Sequence, residues 1–302
     1  MSVTRETRRE PLPPVLPPVL PIVLIEDQVR AALLEDLGRA GDVTTAATIP
    51  PDATAAVLIA TREEGTLAGL DFAATAFRLM DPALLFQPLA RDGERLSRGQ
   101  AVARIEGTAR AVLSAERVAL NFLMHLSGVA THTQRFADAI SHTAARVCCT
   151  RKTLPGLRAA EKYAVRCGGG SNHRFGLDDA ILIKDNHIAV CGGVREAVEA
   201  ARACAGHLMS VEVEVDTLDQ LREAVAAGPD AVLLDNMSPD RLREGVAIVR
   251  AADRPIAIEA SGNVDLGTIA AIAEAGVDYV STSKITMAAP TLDLGLDIDL
   301  RA

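Results

Sequence analysis

At 302 residues the chain is long enough for one large domain or two of moderate size. Its hydrophobic fraction of 49% and charged fraction of 24% are ordinary for a globular protein. With no Trp and only 3% aromatics, the core must rest on Ala, Val, Leu and Ile, and a base-stacking surface is excluded. The net charge of −9 argues against a nucleic-acid partner. It leaves room for an anion site whose cations are gathered in one pocket. The five cysteines (Cys148, Cys149, Cys167, Cys191 and Cys204) are odd in number and lack C-x-x-C spacing. A disulfide scaffold and a zinc site are therefore disfavoured, and reduced cytoplasmic thiols fit. No apolar run is long enough to cross a bilayer.

Arg5, Arg8 and Arg9 precede an apolar stretch that superficially imitates a signal peptide. Pro11, Pro13, Pro14, Pro17, Pro18 and Pro21 break it, and no small-residue cleavage site follows. Residues 1–24 are expected to be a disordered, proline-rich tail. Regular structure is expected from about Glu26, where Val29, Leu33, Leu34 and Leu37 recur at helical spacing before Gly38. Strands at 55–61, 65–68 and 101–106, with a helix at 71–79, show no βα repeat and read as an α+β domain. A long helix follows over 114–140, with Ser114 as its N-cap and a break at Ser127-Gly128.

After Arg146 the pattern changes. Short β-branched runs at 146–150, 180–184, 210–215, 231–234, 256–259 and 279–282 alternate with helices at 194–205, 218–227, 239–251 and 266–275. Pro239 suits a helix start, and Gly228 and Gly276 suit helix ends. A βα series of this kind is expected to close into a parallel barrel.

Functional residues of such barrels lie at the C-terminal ends of strands. There the chain carries Arg151-Lys152, Lys184-Asp185-Asn186-His187, Glu212 with Glu214, Asp235-Asn236, Glu259 with Ser261-Gly262, and Thr282-Ser283-Lys284. Alternation in 210–215 turns Glu212 and Glu214 into the lumen, where they need cations or a metal. A structural ion-pair network is the plain alternative. Gly168-Gly169-Gly170 is expected to offer backbone N–H groups to a ligand, with His173-Arg174 next to it. Arg117, Arg151, Lys152, His173, Arg174 and Lys184 can converge on a small polyanion bearing carboxylates. Ser261-Gly262-Asn263, between a strand and a helix, suits a phosphate. Glu214 and Asp235 suit Mg²⁺.

Several segments resemble the quinolinate phosphoribosyltransferase family. They are Thr150-Arg151-Lys152-Thr153, Glu161-Lys162-Tyr163-Ala164-Val165-Arg166-Cys167-Gly168-Gly169-Gly170, Asn172-His173-Arg174, Ile183-Lys184-Asp185-Asn186-His187 and Leu234-Asp235-Asn236. Glu116-Arg117-Val118-Ala119-Leu120-Asn121 extends the likeness, which runs from about Ile25 to Asp297. The resemblance implies an N-terminal α/β sandwich domain at 25–116, completed by 289–302, and an incomplete, open α/β barrel of the type II phosphoribosyltransferase kind at 117–288. It implies transfer of phosphoribose from phosphoribosyl pyrophosphate to quinolinate with decarboxylation, in the cytoplasm, for NAD biosynthesis. It also implies a homodimer with shared sites, in which Arg117 reaches the neighbour's site.

By the same resemblance Arg151, His173, Arg174 and Lys184 hold quinolinate, and Lys152 serves phosphoribosyl pyrophosphate. Glu214 and Asp235 hold the ribose hydroxyls and Mg²⁺, and Ser261 and Gly262 hold the 5′-phosphate. The expected catalytic residues are Lys152, Lys184, Glu214 and Asp235. The chain departs from the family at Thr282-Ser283-Lys284, where many members read Val-Gly, and at Met287, where some have histidine. Ser283 or Lys284 is expected to compensate. The rival readings are a nicotinate phosphoribosyltransferase without decarboxylation, a Schiff-base aldolase using Lys184, and a barrel repurposed for binding. The surplus of cations argues against the first.

Overall fold

The computed structural model describes residues 19–298. Most of the expected tail (1–18) and the last four positions lie outside that range. In the first half, helix α1 (Ile22–Leu37) and α2 (Val43–Thr48) precede β1 (Thr54–Thr61), β2 (Gly65–Thr66), α3 (Leu70–Met80), β3 (Leu85–Pro88), β4 (Arg95–Leu96) and β5 (Ala101–Thr108). The long α4 (Ala109–Ala139) links them to β6 (Arg146–Cys148) and α5 (Arg158–Cys167). Then come β7 (Ile181–Ile183), α6 (Asp185–Cys191), α7 (Val194–Cys204), β8 (Val211–Val215), α8 (Leu218–Ala227) and β9 (Ala231–Asp235). The chain ends with α9 (Pro239–Arg250), β10 (Ala257–Ser261), α10 (Ile269–Ala273), β11 (Tyr279–Ser281), α11 (Lys284–Met287) and β12 (Leu294–Ile298).

Helix α1 starts as soon as the prolines stop, at Ile22 rather than near Glu26. Ile25, Val29 and Leu33 form its buried stripe, while Leu34 is 64% exposed. The N-terminal sheet is antiparallel in the order β12-β1-β5-β3, so the C-terminal strand returns to complete it. Helices α3 and α4 pack on one another, with Phe72 and Phe122 stacked at 5.1 Å.

Helix α4 differs from expectation at both marked positions. It begins at Ala109, and Ser114 lies inside it, donating to Asp42 at 2.9 Å instead of capping. There is no break at Ser127-Gly128. The Ser127 hydroxyl accepts the Ala68 N–H at 3.0 Å, which ties the helix to the first domain. A Cβ on Gly128 would stand 2.1 Å from the Pro290 carbonyl oxygen. The glycine is there to let the returning C-terminal segment cross.

The second sheet is parallel and six-stranded, in the order β6-β11-β10-β9-β8-β7. Its order is cyclic but the ring is open between β6 and β7, so the closure expected from the βα repeat does not occur. The cause is local. The chain leaving α5 lies along the free edge of β6, where Ser171 donates to Val147 and accepts from Cys149 at 2.8 and 3.0 Å. That edge is therefore already bonded, and β7 pairs only with β8. The strands bury Val147, Val213, Val232, Leu234, Ile258 and Val280 against the surrounding helices.

Candidate active site

A cavity of about 590 Å³ opens at the C-terminal ends of the parallel strands. Of the residues expected there, Arg151, Lys152, His173, Arg174, Lys184, Glu214, Asp235, Ser261, Gly262 and Ser283 all line it. Arg117 does not. It sits on α4 and is exposed. Lys284 lines the cavity beside Ser283, within 3.5 Å of Asp265, whereas Met287 is exposed and outside it.

The cationic wall comes from two loops. Glu161, fully buried on α5, accepts the Leu154 N–H and the His125 ring, which anchors the loop carrying Arg151 and Lys152. Thr286 donates to the Lys152 carbonyl at 2.8 Å and holds the same loop from α11. Lys162, the neighbour of Glu161, is 3% exposed and donates to the His173 carbonyl at 2.9 Å and the Cys149 thiol at 3.0 Å. It thereby seats the second loop. Arg174 donates from Nη1 to Ala180 at 2.9 Å, but the Nε atoms of both Arg174 and Arg151 are buried without a partner. Burial, then the charge of Arg151, lowers the pKa of Arg174. Paired guanidinium groups with unmet donors in one cavity call for an anion with planar oxygens.

The glycine run does not serve the ligand. The N–H groups of Gly168, Gly169 and Gly170 bond to Ala164, Arg166 and Val165 within the α5 terminus. A Cβ on Gly168 would stand 2.3 Å from the Ala130 carbonyl oxygen. Gly168 and Gly170 are small so that α5 can press on α4, and Gly169 takes a left-handed φ of 81°, which corrects the expectation of a ligand loop.

The opposite wall is acidic. Valines 211, 213 and 215 are buried under the helices, and Glu212 and Glu214 face the lumen, as strand alternation requires. Glu214 pairs with the Lys184 ammonium. Asp235 accepts from Ser261 and, at 2.6 Å, from Asn236. Asn236 (φ 52°) and Gly262 (φ 91°) are both left-handed, and a Cβ on Gly262 would stand 2.1 Å from the Asn236 amide oxygen. The ends of β9 and β10 are thus pressed together, with main-chain groups at the cavity edge.

Beneath both walls His173, Glu212 and Glu259 bring their donor atoms within 4.8 Å of one another. His173 Nε2 lies 3.0 Å from Glu212 and 3.7 Å from Glu259. Burial opposes a charge on His173, but the hydrogen bond to Glu212 and the charges of Glu259 and Glu212 outweigh it and raise its pKa. The Arg174 N–H on Nδ1, at 2.7 Å, pulls the other way. At that separation Nδ1 must stay an acceptor, so this geometry holds a neutral ring with its proton on Nε2. Glu259 is 6% exposed, and its pKa is pushed up to about 7 by burial first and by Glu212 second. The sequence marked Glu259 only as a strand-end carboxylate, and it gave Lys162 no role. Glu161-Lys162 falls among the apolar positions Ala160, Ala164 and Val165 of α5, and that is the signal that marks it as buried.

Residues 42–127 match the model of the quinolinate phosphoribosyl transferase N-terminal domain, and 129–297 match that of the C-terminal domain. The chain is 43% identical over 267 residues to a probable carboxylating nicotinate-nucleotide pyrophosphorylase of Bacillus subtilis, covering 88% of this chain and 91% of that one. It is also 43% identical to the corresponding protein of Mycobacterium leprae, over 90% and 96% of the two chains. The solved nicotinate-nucleotide pyrophosphorylase of Francisella tularensis superposes with a TM-score of 0.88 at 40% identity, covering 93% of this chain and 98% of that one.

The burial of Glu259 predicts a pH effect on stability. Unfolded, this carboxyl loses its proton near its ordinary value of 4.5; folded, it does so at about 7. The folded state then binds the proton more tightly, so stability falls as pH rises from about 5 to about 7. Glu259→Gln removes that loss. Its melting temperature relative to wild type should climb across this window, and a difference that stays flat would contradict a protonated Glu259.

Proposed function

The chain belongs to the quinolinate phosphoribosyltransferase family, and on that premise we propose that it transfers phosphoribose from phosphoribosyl pyrophosphate to quinolinate. The transfer goes with decarboxylation and yields nicotinate mononucleotide, CO₂ and pyrophosphate for NAD biosynthesis. The observation that carries this reading is the pair of buried, unpartnered guanidinium Nε atoms of Arg151 and Arg174 in one cavity with Lys184. Two arginines and a lysine suit a dicarboxylate, and one carboxylate would leave part of that charge unmatched. Nicotinate, with a single carboxylate, is therefore the poorer substrate.

Arg151, Arg174 and Lys184 hold the two carboxylates and aim the ring nitrogen at the ribose carbon that bears pyrophosphate. Lys184 is paired with Glu214 in this structure. When Lys184 turns to a quinolinate carboxylate, Glu214 is released toward the ribose, which couples the two halves of the site. Positive charge develops on the ribose as its bond to pyrophosphate lengthens, and Glu214 and Asp235 stabilise it electrostatically. Lys152 meets the pyrophosphate, while Ser261 and Gly262, with Ser283 and Lys284 alongside, receive the 5′-phosphate. Once the ring nitrogen is quaternary, it stabilises the carbanion left when the adjacent carboxylate departs as CO₂.

Glu214 and Asp235 end the adjacent strands β8 and β9 and line the same cavity. They are hard oxygen donors of the kind that Mg²⁺ prefers, directly or through water. When bound, Mg²⁺ neutralises charge on the pyrophosphate leaving group.

We further assign the working unit as a homodimer, with Arg117 of one subunit entering the site of the other. Its exposure on α4 leaves it free to do so. Leu154, Phe175, Leu177 and Val190, which follow β6, α5 and β7, are 37–91% exposed and suit a covering subunit. Among the described residues no helix is long and apolar enough to cross a membrane. The five cysteines are all unpaired, which supports the cytoplasm as its compartment.

Removing either arginine should cost a charge-assisted contact of about 1.5–3 kcal/mol, or roughly 10- to 150-fold in binding. Arg151→Ala and Arg174→Ala are expected to raise KM for quinolinate by that factor in steady-state assays, and near-normal KM in both would sink the assignment. Subunit mixing tests the shared site. Arg117→Ala and Lys184→Ala are each expected to be inactive alone. After unfolding and refolding together they should recover about a quarter of wild-type activity, because half the dimers are mixed and carry one intact site. No recovery would mean that Arg117 does not act across subunits.

A further inference from the structure

One carboxyl in the cavity has no part in holding either substrate. Glu259 faces the lumen from β10, with Ser261 on the same face. Its neighbours across the sheet are Leu233 and Tyr279. It is 6% exposed, and its Oε1 has no hydrogen-bond partner. The His173 ring beside it has one proton to give, and Glu212 takes that proton at 3.0 Å. Glu259 Oε1 is left at 3.7 Å. Burial and the neighbouring Glu212 carboxylate disfavour ionisation of this carboxyl, and they outweigh what favours it, the charges of His173 and Lys184 and a hydrogen bond from Ser281. Protonation relieves both and avoids repelling an incoming dianion.

On the reading that the substrate is quinolinate, we propose that Glu259 is the acid that returns a proton to the ring carbon vacated by CO₂. The bond from that carbon to its carboxylate breaks and leaves the electron pair on the ring carbon beside the quaternary nitrogen. The Glu259 O–H bond then breaks, and a C–H bond forms with that pair. Glu259 is left as a carboxylate and takes a proton from water as the product leaves. The titratable groups that act on Glu259 are its nearest rivals as the acid. Lys184 is held by Glu214 and, on the proposed reading, by a quinolinate carboxylate once substrate binds; His173 donates to Glu212, and guanidinium groups do not release protons. Asp235 is occupied in accepting hydrogen bonds from Ser261 and Asn236.

The test is a single-turnover experiment on full-length wild type and Glu259→Gln with quinolinate labelled in its 2-carboxylate, phosphoribosyl pyrophosphate and Mg²⁺. Pyrophosphate release reports ribosyl transfer, and labelled CO₂ reports decarboxylation. Gln keeps the shape of a neutral carboxyl but cannot act as the acid. In Glu259→Gln, pyrophosphate release and quinolinate affinity are expected within a few-fold of wild type. CO₂ release should be slower by about 10²- to 10⁴-fold, the usual weight of a general acid. In wild type the CO₂ step should slow as pH rises through the Glu259 pKa. CO₂ release at the wild-type rate in Glu259→Gln would overturn the proposal, because water would then suffice. So would parallel loss of quinolinate affinity and transfer, which would mark Glu259 as a positioning residue. A tightly bound divalent metal in purified wild type that is lost in Glu259→Gln would overturn it too, since the cluster would then be a metal site. Failure of wild type itself to convert quinolinate would instead reject the functional reading on which this rests.

Discussion

Ser171 lies on the open edge of β6, its N–H on the Val147 carbonyl at 2.8 Å and its carbonyl accepting the Cys149 N–H at 3.0 Å. Those two bonds occupy the edge that a closed barrel would need for its next strand. They leave the ring open between β6 and β7, hold α5 against α4 through small glycines, and send His173 and Arg174 into the cavity. Lys162 completes the arrangement from below. Its ammonium is buried and bonds to the His173 carbonyl. The gap in the barrel and the cationic wall of the site are therefore one structural decision.

The chain carries a net charge of −9, yet one wall of its cavity is almost wholly cationic. Separation of charge makes this workable. On the proposed reading, Arg151, Arg174 and Lys184 stand on the side that receives carboxylates, and Glu214 and Asp235 on the side where positive charge develops. The Lys184–Glu214 pair joins the two, and in the proposed mechanism it opens when quinolinate binds. Preorganised groups of this kind cost nothing to reorient at the moment of reaction.

Much of this was legible in the sequence, because strand ends carry the chemistry of a βα barrel and period-two alternation assigns Glu212 and Glu214 to the lumen. What was not legible depends on contacts between distant segments. Ser127-Gly128 reads locally as a helix break, but the glycine serves the crossing of residues near Pro290. The glycines after α5 read as a ligand loop, but they serve helix packing. The repeat of strands and helices reads as a closed ring, since nothing in hydrophobic periodicity says that residue 171 will take the β6 edge. Glu259 was visible as a strand-end carboxylate. Its protonation follows only once Glu212 is seen to hold the sole proton of His173.

The central claim is that the cavity takes a dicarboxylate and releases one of its carboxylates. The most direct measurement incubates the purified chain with phosphoribosyl pyrophosphate, Mg²⁺ and either quinolinate or nicotinate, and follows CO₂, pyrophosphate and nicotinate mononucleotide. With quinolinate the three products should appear in equal amounts, and nicotinate should give little turnover. Nicotinate mononucleotide made as readily from nicotinate, or pyrophosphate released without CO₂ from quinolinate, would contradict the account.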